Sequence, residues 1–62
     1  MKDAITTAQA AAYLNRSAIT LERWRRLRVG PPYYYVMGRV LYLQADIDAW
    51  LLKNKRDGLA AE

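Results

Sequence analysis

Ser17-Ala18-Ile19-Thr20-Leu21-Glu22-Arg23-Trp24-Arg25-Arg26-Leu27 is the stretch whose reading decides the fold. Ser17 is a helix N-cap residue, because its hydroxyl can accept from an amide of the first turn that has no partner within the helix. The spacing predicts a helix from Ala18 to about Leu27. Leu21 and Trp24, three apart, fall on one side of it. Ile19, Arg23 and Arg26 fall roughly opposite, flanked by Thr20 and Glu22. The segment is an amphipathic helix with an arginine-bearing outer face.

Upstream lies a second helical signal. Thr6 followed by Gln9 matches a capping box, and Ala8 to Leu14 has high helix propensity. Ala8, Ala11 and Ala12 recur at helical spacing and predict a small-residue face that admits a close neighbour. Asn15 tolerates the left-handed conformation that ends a helix. Helix, short turn and helix is the helix-turn-helix pattern.

Downstream, Gly30-Pro31-Pro32 stops the second helix. Tyr33 to Val36 and Val40 to Leu43 are β-prone, with Met37-Gly38-Arg39 between them, so this stretch predicts a β-hairpin. A two-residue loop pairs Val36 with Arg39. A three-residue loop pairs Val36 with Val40 and Tyr34 with Tyr42, and is preferred because it gathers four apolar groups on one face. It leaves Arg39 at the tip, with Tyr35 and Leu41 facing outward. A last helix begins at Gln44-Ala45-Asp46. Asp46 and Asp48 suit the positive end of its dipole, and Ile47, Trp50 and Leu51 form its buried stripe. Gly58 to Glu62 reads as a loose tail. The expected architecture is mostly α with a small β-hairpin, a winged helix-turn-helix in the order α-α-β-β-α, over residues 1–57.

Sixty-two residues make one small domain, with no cysteine for a disulfide and no histidine. Zinc sites of the Cys/His kind are excluded, and no metal or cofactor is expected. Met1-Lys2-Asp3 leads into no apolar targeting segment, and no apolar run approaches a membrane span, so a cytoplasmic protein without a membrane role is expected.

The charge is unevenly placed. Between Arg16 and Arg39 stand six arginines and one acid, Glu22, a net +5, while the rest of the chain carries −1. Concentrated positive charge suits phosphate partners; the ordinary alternative is a solvated arginine-rich face. Catalysis is poorly supported without His or Cys. Asp46 and Asp48 diverge on a helix, and nothing near the tyrosines would activate one as a nucleophile. The protein is therefore expected not to be an enzyme and to take no small-molecule ligand. Trp24 and Trp50 can stack on bases, but each lies on an apolar stripe and is read as core.

The arginines remain. Arg23 and Arg26 project from the outer face of the second helix, and arginine pairs well with guanine in the major groove. Arg16 and Ser17 stand at that helix's N-terminus, where phosphate binds readily. Ile19 stands on that outer face with Thr20 flanking it, and Arg39 suits a backbone or minor-groove contact. These seven residues are the predicted contacts to double-stranded DNA.

With these residues in hand, the chain resembles the small MerR-type winged helix-turn-helix proteins that include phage excisionases and AlpA-like regulators. The resemblance rests on Thr6 to Leu14, Ser17, Thr20 to Arg25, Gly30 to Tyr33, Gly38 to Tyr42 and Ala45 to Leu51. It implies that the helix over about 18–27 enters the major groove and that the wing near Gly38-Arg39 touches the phosphate backbone or the minor groove. Members often carry a basic residue in place of Tyr35, and a glycine or basic residue in place of Met37, so this wing is less basic than the pattern. The expected function is that of an excisionase, which binds and bends attachment-site DNA and directs an integrase toward excision. The alternatives are a small transcriptional regulator with the same module, and a protein-interaction module using Tyr35, Leu41 and Leu52. The chain's length leaves little room for a sensing domain or a dimerising coiled coil. A lone module burying about 600–1,000 Å² binds one site weakly, so cooperative self-association on DNA is expected.

Overall fold

A computed structural model describes residues 3–55; the tail from Gly58 to Glu62 lies outside the described residues. The elements are β1 (Ala4–Thr6), α1 (Thr7–Leu14), α2 (Ala18–Leu27), β2 (Tyr34–Val36), β3 (Arg39–Leu43) and α3 (Gln44–Lys53). Three helices and a small antiparallel sheet of order β1-β3-β2 make up a winged helix-turn-helix.

Local signals set the helix ends. Thr6 Oγ1 accepts from the Gln9 amide at 3.2 Å, and Gln9 Oε1 accepts from the Thr6 amide at 2.9 Å, which closes the capping box. Asn15 ends α1 in the left-handed region at φ 59°. Ser17 Oγ accepts from the Thr20 amide at 3.2 Å and caps α2. Arg28, at φ 60°, ends α2 two residues before Gly30, and the Val29 amide donates back to the Trp24 carbonyl at 2.9 Å.

The core consists of Ala10, Ala11, Leu21, Tyr42 and Ile47, with Ile5, Leu14, Trp24 and Val40 packed around it. Leu21 and Trp24 face inward as their spacing predicts. The small-residue face of α1 differs from expectation: Ala10 and Ala11 are buried while Ala8 and Ala12 are exposed. Thr7, Ala10, Ala11 and Leu14 share the helical spacing, and Leu14 draws that side toward the core. Leu51 is more exposed than its place in the predicted stripe of α3 implies, at 42%.

Two features of the sheet correct the sequence reading. The hairpin has the two-residue loop, with Val36 opposite Arg39, Tyr35 opposite Val40 and Tyr34 opposite Leu41. Met37 at φ 50° and Gly38 at φ 82° both take the positive φ that a type I′ turn needs, and this turn matches the natural twist of the strands. Arg39 therefore flanks the turn instead of forming the tip. The second feature is β1, which the sequence reading assigned to no element. It pairs with β3 and sets Ile5 opposite Tyr42. Tyr42 thus has an apolar neighbour on the core face, and the pairing with Tyr34 that favoured the longer loop is not needed. By strand alternation, Val40 and Tyr42 face the core, while Arg39 and Leu41 face away with Val36 and Tyr34. Tyr35 shares the side of Val40 yet is 72% exposed.

Candidate nucleic-acid interface

The turn between α1 and α2 is Asn15-Arg16-Ser17. The Arg16 amide donates to the Ala11 carbonyl at 2.8 Å, so the turn is held by α1. The Ser17 hydroxyl is engaged with the Thr20 amide and lies 3.0 Å from Thr20 Oγ1. Its side chain is therefore committed to the cap. What remains at this end of α2 is the pair of first-turn amides of Ala18 and Ile19, at the positive end of the helix dipole.

On α2, Ile19, Arg23 and Arg26 stand at i, i+4 and i+7, and all three are exposed. They form one row along the helix, because residues four and three apart are neighbours on its surface. Leu21 on the other side is fully buried, which fixes the rotation of the helix and holds the row toward solvent. Thr20 is half-buried beside the row. Six of the seven predicted contact residues therefore lie on one continuous stretch, from Arg16 to Arg26. The seventh, Arg39, stands on the wing at the start of β3, exposed, on the sheet face turned away from the core.

Arg25 and Arg28 fall outside the predicted set. Arg25 turns inward and donates to the Tyr42 hydroxyl at 2.9 Å. Arg28 is exposed and, with Arg25 and Arg26, lines an open cleft against Val29 to Tyr33 that contains no acidic residue. Its signal in the sequence was membership of the basic segment, but it lies beyond the helix whose outer face drew attention. Among the described residues no group of His, Cys, Asp or Glu is arranged to hold a metal ion, and no helix is long and apolar enough to cross a membrane.

Two short helices joined by a three-residue turn, with exposed Arg23 and Arg26 on the second and a hairpin wing following it in the chain, define a winged helix-turn-helix of the DNA-binding class. The model of a helix-turn-helix domain family matches residues 4–55, and the chain belongs to that family. No curated protein and no solved structure matches the chain.

Proposed function

We propose that this protein binds double-stranded DNA sequence-specifically as an excisionase and performs no chemistry of its own. The observation that carries the DNA reading is the exposed row Ile19, Arg23 and Arg26, on a helix whose opposite side is locked into the core by Leu21. In this reading α2 lies in the major groove. Arg23 and Arg26 present guanidinium forks to guanine O6 and N7, and Ile19 and Thr20 meet neighbouring base edges or a thymine methyl. Arg16 and the first-turn amides after Ser17 take a phosphate. Arg39 holds the backbone or the minor groove beside the wing.

The excisionase role is supported by the resemblance to MerR-type excisionases and by the apolar end of the wing. Met37 is 99% exposed and Tyr35 is largely so. A neighbouring copy on the same DNA can cover such a patch, because tethering raises the effective concentration to the millimolar range. In free solution the patch is too small for an obligate dimer, whose interface usually exceeds about 2,000 Å² in total. In this reading the free protein is a monomer and works in the cytoplasm. Copies bound side by side add their small bends, and an integrase is the partner that uses the bent DNA.

Sedimentation of the free protein, with titration of one-site and tandem-site duplexes, tests this role. A monomer that fills adjacent sites cooperatively and bends the duplex supports it. A stable dimer without DNA, or independent filling of adjacent sites, points to an ordinary transcriptional regulator on the same module.

A further inference from the structure

Of the six arginines between Arg16 and Arg39, five are exposed and Arg25 alone is half-buried. Its Nη1 donates to the Tyr42 hydroxyl at 2.9 Å and to Thr7 Oγ1 at 3.3 Å. Its guanidinium carbon lies 5.7 Å from the centre of the Tyr33 ring. Tyr33 in turn packs on Tyr42, with ring centroids 6.1 Å apart and planes tilted by 51°. One side chain of α2 thus reaches the first residue of α1, the central strand β3 and the segment that leads into β2.

These contacts have a physical logic. Tyr42 is almost wholly buried, so its hydroxyl oxygen needs a partner, and an ionised donor makes the stronger kind of hydrogen bond. The guanidinium is planar and rigid, and it can hydrogen-bond along one edge while an aromatic ring covers its face. A group held from several directions by different elements sets their relative orientation. A lysine ammonium on a flexible stem does not.

We infer that Arg25 is a positioning residue that fixes the angle between α2 and the wing, and is not a phosphate ligand. The angle decides whether Arg23 and Arg26 on α2 and Arg39 on β3 meet one stretch of duplex together. The inference rests on the DNA-binding reading proposed above. A specific complex needs helix and wing in register, whereas loose binding to any sequence tolerates other angles.

The test uses the full chain as wild type, Arg25→Lys, Arg25→Gln and Tyr42→Phe, each checked by thermal unfolding. Residual dipolar couplings of the free proteins report the angle between α2 and β3. Titrations over a salt series, on a duplex selected for tight binding and on random duplex, report affinity. Arg25→Lys and Tyr42→Phe are expected to change the angle and weaken the selected complex roughly two- to tenfold, the loss of about one net hydrogen bond. Affinity for random duplex and the salt slope stay as in wild type. An unchanged angle in Arg25→Lys and Arg25→Gln overturns the inference. So does an equal loss on both duplexes in Arg25→Gln with a salt slope shallower by about 0.9, the mark of a lost phosphate contact. A wild-type protein that binds neither duplex removes the DNA reading, while the couplings still decide whether Arg25 sets the angle.

Discussion

The indole of Trp24 on α2 lies 5.7 Å, centroid to centroid, from that of Trp50 on α3, with the ring planes tilted by 47°. The pair joins α2 to α3, and Trp24 also packs on the buried core. A tilted aromatic pair adds about 0.5–1.5 kcal/mol beyond its area burial. Trp24→Ala removes both the pair and the ring's packing, at a cost of about 3–5 kcal/mol, enough to unfold a domain this small. Trp50→Ala is also destabilising, but less so. Urea unfolding measures both, and a stably folded Trp24→Ala protein that lost only DNA binding would contradict the assigned face of α2.

Gly30 and Gly38 separate backbone strain from packing. Both have positive φ, at 90° and 82°. A Cβ at Gly30 would stand 2.8 Å from Trp24 Cε3, whereas a Cβ at Gly38 meets nothing within 4 Å. Gly38→Ala is expected to cost only the backbone term, of order 1–3 kcal/mol. Gly30→Ala adds displacement of the Trp24 ring and is the more destabilising of the two. Paired thermal melts check the order, and equal losses would show that the ring moves aside freely.

Arg23 and Arg39 are predicted to act differently on DNA. Arg23→Ala costs roughly 1–3 kcal/mol on the preferred site and relaxes sequence preference, as the loss of a base contact should. Arg39→Ala weakens binding to all sequences alike. Anisotropy titrations with preferred and random duplexes compare the two variants. Equal loss on both duplexes for Arg23→Ala is inconsistent with its place in the groove.

Tyr13 on α1 donates its phenolic proton to the Asp48 carboxylate on α3. That hydrogen bond, with smaller contributions from desolvation and the carboxylate's charge, raises the Tyr13 pKa above its ordinary 10.0. The folded state therefore holds this proton more firmly than the unfolded state. The resulting stabilisation is fully present below pH 10.0 and is lost as pH rises from there through the raised folded value. Tyr13→Phe removes this part of the alkaline loss. Near-ultraviolet tyrosinate titration, alongside melting of both proteins at rising pH, reads the effect. Identical alkaline profiles would show that the clasp does not form in solution.

Much of this fold was legible because short polar signals govern helix ends. Thr6 with Gln9, Asn15, and Ser17 mark three boundaries through their own side chains. Leu21 and Trp24 mark the inner face of α2 through their size. β1 was not legible, because three residues carry no periodicity and its place depends on backbone pairing with β3, whose partner residues run from Leu41 to Leu43 at the other end of the domain. The hairpin register turned on Met37 adopting a positive φ, which residue type alone disfavours. Alanine is equally at home inside and outside, so the inner face of α1 could not be read from Ala8, Ala11 and Ala12. Asp48 read as a complement to the helix dipole, and its Tyr13 partner needed the tertiary structure to appear. Arg25 counted only as one charge of the basic segment for the same reason: its hydrogen-bond partners Thr7 and Tyr42 are 18 and 17 residues away in sequence.

Salt dependence of duplex binding tests the central claim most directly. Arg16, Arg23, Arg26, Arg28 and Arg39 are exposed, and with about 4–6 phosphate contacts log K should fall against log salt with a slope near −4 to −5. That slope, with tighter binding to a selected site than to random duplex, is the predicted result. Affinity that stays flat from low to moderate salt, or a complete absence of duplex binding at low salt, would contradict the assignment of this basic face to DNA.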